Sequence, residues 1–151
     1  MNQLTTVDTK RLLELLENEL DLYIQIRKLT EKQAQLLSKD DIDAFNGSLE
    51  KRAELIEKIK GLHQDSDPLM QSYVSVAKSA ANKDEGIEKL REQIRREIAE
   101  CSRLNDENMA AMKDKVEEHT RKIDEKSAQR KGIGGYAQAV PNTPEIFDKK
   151  S

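Results

Sequence analysis

The sequence predicts an all-α fold: an elongated, coiled-coil-like antiparallel three-helix bundle with a short extra helix and a flexible C-terminal tail. Three observations carry this. From Ile87 to Lys126 apolar residues recur at Ile87, Leu90, Ile94, Ile98, Cys101, Leu104, Met109, Met112, Val116 and Ile123, mostly every three or four positions and with no proline between them. That spacing is the narrow stripe of one helix of roughly forty residues. Charged residues make up 36%, hydrophobic residues 36% and aromatics 3%, fewer apolar residues than the roughly 45–50% of a compact globular domain. The N-terminal third, finally, carries two apolar stripes side by side.

Met1 to Val7 read as a frayed arm, and Asp8 or Thr9 as the cap of a first helix running to about Ser38. Leu13, Leu16, Leu20 and Tyr23 form one stripe; Leu15, Leu22, Ile26 and Leu29 form the other. A helix with two stripes touches two neighbours, or one neighbour and a second copy of itself. Asp40 is the expected N-cap of the second helix, with Asp41 and Asp43 in its first turn complementing the dipole. So short a connection makes the two helices antiparallel neighbours. The second helix presents Ile42, Phe45, Leu49, Arg52, Ile56 and Ile59 as its seam. Arg52 there packs its stem while the guanidinium reaches outward.

Gly61 to Asp67 reads as a break, and Asp67-Pro68 as the restart of a short helix to about Ala81. Asn82-Lys83-Asp84 then turns into the long helix. Beyond Arg130, Gly132, Gly134, Gly135, Pro141 and Pro144 argue against a helix. The chain therefore divides into a helical domain, 1–130, and a tail, 131–151, with scattered apolar residues Ile133, Tyr136, Val140, Ile146 and Phe147.

A net charge of −3 with both signs finely mixed provides no basic field for nucleic acid. No apolar run approaches a membrane span, and no signal-peptide pattern opens the chain, so a cytoplasmic location is expected. One cysteine precludes an intramolecular disulfide.

Catalysis needs convergent polar groups, and the candidates are poor. His63, His119 and Cys101 lack metal-ligand spacing, no glycine-rich phosphate loop opens a helix, and neither an enzyme nor a cofactor is expected. Cys101 is read as a small apolar residue of the seam. His119, followed by Thr120, Arg121 and Lys122, leaves open a phosphotransfer bundle, although Ile123 stands where such a site needs a small residue.

Asn105 and Asn108, one turn apart and followed by Met109, Met112 and Val116, are more informative. Asparagine is a mediocre helix former. The pair either fixes register by cross-helix hydrogen bonds or lines a groove in which amides hold a client backbone and methionines adapt to its side chains.

Taken together, Leu15 to Glu19 with Tyr23, the run Asp41 to Phe45, Lys51-Arg52 through Ile59, the Asn105/Asn108 pair, Gly135-Tyr136 and Asp148 to Lys150 resemble the FlgN family of flagellar type III export chaperones. The resemblance implies a cytoplasmic helical protein that binds the C-terminal helical segments of hook-associated (hook–filament junction) proteins, prevents their premature assembly and delivers them to the export gate. It places client binding toward the end of the long helix, at Met109, Met112, Val116 and Ile123 with the tail, to which the groove reading adds Asn105 and Asn108. Tyr136 is the nearest match to the tyrosine that contacts the export gate; otherwise it is an exposed tail residue. A competing reading is a structural or adaptor coiled coil that self-associates, as a homodimer for instance, through the double stripe of the first helix.

Overall fold

The computed structural model of the chain describes residues 5–134, apart from the side chains of Val7 and of residues 130–134. Among these residues are three α-helices, α1 (Thr6–Ser38), α2 (Ile42–Val76) and α3 (Glu85–Gly134), with a 3-10 turn at Ala80–Asn82. Packing divides the chain into two compact units, Met1–Asn105 and Asp106–Ser151, and α3 contributes to both.

The cap of α1 is Thr5 rather than Asp8 or Thr9. The Asp8 N–H donates to Thr5 Oγ1 at 3.0 Å while the Thr5 N–H donates to Asp8 Oδ2 at 3.4 Å. This capping box satisfies two backbone donors that lack helical partners, and so draws the start of the helix into the presumed arm. Leu12, Leu16, Glu19, Ile26, Thr30, Gln33 and Leu37 are buried and form one seam. Leu16 of the first stripe and Leu15 and Ile26 of the second are buried, while Leu13, Leu20, Leu22, Tyr23 and Leu29 are half-buried beside them, because α1 has two neighbours in this unit.

The turn into α2 corrects the expected cap. Asp40 has φ 56°, in the left-handed region. Its N–H donates to the Leu37 carbonyl at 3.1 Å and the Asp41 N–H to the Leu36 carbonyl at 3.0 Å, the pair of bonds that closes a Schellman motif. A residue so occupied at the end of α1 cannot be the N-cap of α2. Asp41 takes that place, its carboxylate accepting the Ala44 N–H at 3.1 Å.

The break at Gly61–Asp67 and the separate short helix are absent: α2 runs unbroken from Ile42 to Val76 with Pro68 inside it. The reason is its buried stripe of Phe45, Ser48, Leu55, Ile59, Ser66 and Tyr73. Ile59, Ser66 and Tyr73 follow at intervals of seven residues, so the seam keeps its register straight through the glycine and the proline. Pro68 withdraws the hydrogen bond that would end on the Gln64 carbonyl, but Gln64 and Pro68 are both exposed, on the solvent side. The seam therefore differs from the one expected. Ile42, Leu49 and Ile56 are half-buried flanks. Arg52 is half-buried, with its Nε buried and without a hydrogen-bond partner.

Two apolar layers hold the first unit together. Leu12 and Leu16 of α1, Tyr73 of α2, and Ile87 and Ile94 of α3 form one. Ile26, Leu55, Ile59 and Cys101 form the other. This pairing sets α2 antiparallel to α1 and α3, an up-down-up arrangement. Each fully buried leucine or isoleucine contributes about 2 kcal/mol. Asp84 caps α3, its Oδ1 accepting the Ile87 N–H at 2.9 Å. The first turn of α3 lies close to α1: a Cβ on Gly86 would stand 3.2 Å from Leu13 Cδ2.

In the second unit the described residues continue α3 to Gly134, past Arg130, beyond which the sequence argued against a helix. Asn108 and Met112 are buried there, Val116 and Ile123 are half-buried, and the residues between are largely exposed and charged.

Candidate functional site

The asparagine–methionine stretch spans the end of the first unit and the start of the second, and each part is described by itself. Asn105, half-buried, is the last residue of the first unit. In the second unit Asn108 is 5% and Met112 1% exposed. Val116 and Ile123 follow on the same face, Val116 four residues after Met112 and Ile123 seven after Val116. Met109, about 100° round from Asn108 but only about 20° from Val116, is 37% exposed. Asn108, Met112, Ile123, Val116 and Met109 thus fall within one arc of about 100°, with Asn108 and Met109 at its two edges.

Charge surrounds this face. Asp106, Glu107, Lys113, Asp114, Glu117, Glu118, Arg121 and Lys122 are exposed, and Lys122 pairs with Glu118 at 3.4 Å, one of the i,i+4 pairs typical of a solvated helix. His119 is exposed, with Ile123 half-buried one turn on. Tyr136 and the apolar residues of the tail from Val140 onward lie outside the described residues.

In the first unit, Cys101 is buried among Ile26, Leu55 and Ile59, and its thiol donates weakly to the Tyr23 carbonyl at 3.6 Å. Burial pushes the thiol pKa up and the nearby Glu97 charge adds to this. A thiol so held is a packing residue and a poor nucleophile.

Three polar pairs in this unit escaped the sequence reading. Glu19, buried on α1, meets His63 of α2; His63 had been assigned to a break and so to no seam. Arg27 of α1 donates to Glu97 of α3 at 2.7 Å. The Tyr73 hydroxyl donates to Glu88 at 2.7 Å and accepts the Asp84 N–H at 3.1 Å. The available signal was position: Glu19 and Tyr73 occupy seam steps that only a continuous stripe reveals. Among the described residues no group of three or more His, Cys, Asp or Glu side chains could hold a metal ion. No helix among them is long and apolar enough to cross a membrane.

A family model described as FlgN protein matches residues 1–138. The chain belongs to the FlgN family. The match takes in α1, α2 and the whole of α3, and extends past Tyr136. FlgN proteins are chaperones, and membership implies a role in flagellar export in general terms. No curated protein and no solved structure matches the chain.

Proposed function

We infer that this FlgN-family chain is a non-enzymatic cytoplasmic chaperone for hook-associated flagellar proteins. It binds their C-terminal helical segments, holds them unassembled and presents them to the export gate. The client lies along α3 at Asn105, Asn108, Met109, Met112, Val116 and Ile123, and Tyr136 contacts the gate. The observation that carries this reading is the thin apolar face of α3 beyond residue 105, where Met109, Met112, Val116 and Ile123 are large apolar side chains among exposed charged residues. An amphipathic helix recognises such a face through its own i, i+4 anchors.

Asn108 and Met112 are buried before any client arrives. Encounter therefore begins at the exposed Met109 and the half-buried Val116 and Ile123, and full engagement uncovers the other two. A stretch with so few large apolar residues opens at low cost.

Isothermal titration of the full chain with the C-terminal segment of a hook-associated protein tests the reading. The chain binds the segment. Val116→Asp with Ile123→Asp abolishes binding while the thermal melt of the helices stays in place, and Met109→Asp weakens it. Undiminished binding by the double variant refutes the site, and no binding by the parent chain refutes the client.

A further inference from the structure

The first unit carries a surface that the client site does not use. A groove of about 290 Å³ is lined by Leu16, Glu19, Met70, Arg91, Ile94, Arg95 and Ile98. Its floor is apolar, with Leu16 and Ile94 buried and Met70 half-buried. Ile98 is 43% exposed on the α3 wall, and Val74, one turn beyond Met70 on α2, is 46% exposed. Large apolar side chains so open to water at a groove are a surface prepared for a partner. In a helical bundle this is where a fourth helix would lie.

The charges of the groove select the occupant. Arg91 and Arg95 stand one turn apart on α3, beside Ile94 and Ile98 at the same spacing. Among the described residues Arg91 pairs with Glu88 at 3.1 Å and Arg95 with Glu92 at 2.9 Å, both within α3. Such i,i+3 pairs are worth a few tenths of a kcal/mol and exchange readily for a better acceptor. The one carboxylate in the lining, Glu19, is buried against His63. A second copy offering this same surface would bring arginines to arginines, whereas a helix with glutamate or aspartate one turn apart beside its apolar seam meets both cations at once.

We propose that this groove docks an acidic amphipathic helix of a partner protein, independently of the client face on the second part of α3. Ile94 and Ile98 take its apolar side chains, and Arg91 and Arg95 take its carboxylates in place of Glu88 and Glu92.

The probe is a fluorescein-labelled synthetic helix carrying leucines one turn apart flanked by glutamates, with a control in which lysines replace the glutamates. Anisotropy is read on the full chain. The acidic peptide binds at least about tenfold more tightly than the lysine peptide. Arg95→Glu reverses that preference, and Ile98→Asp removes binding of both. The Arg95 side chain is 71% exposed, so its substitution leaves the fold intact, as circular dichroism verifies. Val116→Asp with Ile123→Asp leaves acidic-peptide binding unchanged, which separates this site from the client face. Absence of binding, equal binding of the two peptides, or indifference to both substitutions overturns the proposal. So does a dimer in light scattering that Ile98→Asp dissociates, since a second copy would then be the occupant.

Discussion

The buried Tyr73 of α2 donates its hydroxyl to the Glu88 carboxylate of α3 at 2.7 Å, and the same oxygen accepts the Asp84 N–H at 3.1 Å. One side chain thereby ties the end of α2 to the residue that caps α3 and to the first turn of that helix. Tyr73→Phe keeps the ring and removes both bonds, which costs about 1–2 kcal/mol, read as a lowered urea midpoint with an unchanged slope.

The same bond sets a pH dependence. The Tyr73 hydroxyl, and after it Arg91, holds the Glu88 carboxyl below its ordinary 4.5. A carboxyl whose folded pKa is depressed stabilises fully above its unfolded value, and that contribution is lost as pH falls through the folded one. The gap in stability between the parent chain and Tyr73→Phe is therefore wide at neutral pH and narrows in acid below 4.5. Urea midpoints measured across that range check the sign.

Arg27 and Glu97 join α1 to α3 at 2.7 Å, with side chains only 26% and 20% exposed. Hydrogen bonds to Glu97 and Glu31 raise the Arg27 pKa and hold the cation in place. A double-mutant cycle with Arg27→Gln and Glu97→Gln gives a coupling of about 1 kcal/mol, above that of the exposed intrahelical pairs of α3.

Continuity of α2 predicts the effect of two substitutions at its apparent break. Nothing lies within 4 Å of where a Cβ on Gly61 would stand, so Gly61→Ala stabilises by up to about 1 kcal/mol. Pro68→Ala restores a missing backbone hydrogen bond and is stabilising as well. Both raise the melting temperature; a loop at this place would leave Gly61→Ala neutral or harmful.

Asp40 closes α1 at φ 56°, a conformation that β-branched residues resist. Asp40→Val costs about 1–2 kcal/mol, measured by chemical denaturation, whereas an N-cap at that position would predict rescue by Ser or Thr, which does not occur.

These residues show what the sequence made legible. The three helices, the buried Ile87, Ile94 and Cys101 of α3 and the two neighbours of α1 follow from apolar spacing, whereas Ile98, counted in the same stripe, is 43% exposed. The course of α2 did not, because its seam passes through Ser48, Arg52 and Ser66, which do not count as apolar, while Gly61 and Pro68 are the strongest local breakers in a helix. Packing along the whole seam outweighed both. The cap assignments failed for a related reason: adjacent acids in Asp40-Asp41, and Thr5 with Asp8, are equivalent as letters and are told apart only by backbone geometry. At the candidate site, spacing puts Asn108, Met109, Met112, Val116 and Ile123 along one arc of α3, but it does not tell the buried Asn108 and Met112 from the exposed Met109.

Hydrogen–deuterium exchange of the full chain, with and without the C-terminal segment of a hook-associated protein, tests the client reading most directly. Slowed exchange concentrated between Asn105 and Ile123, centred on Met112 and Val116, is the predicted result. Protection confined to α1 and α2, with α3 beyond Asn105 unchanged, would contradict it.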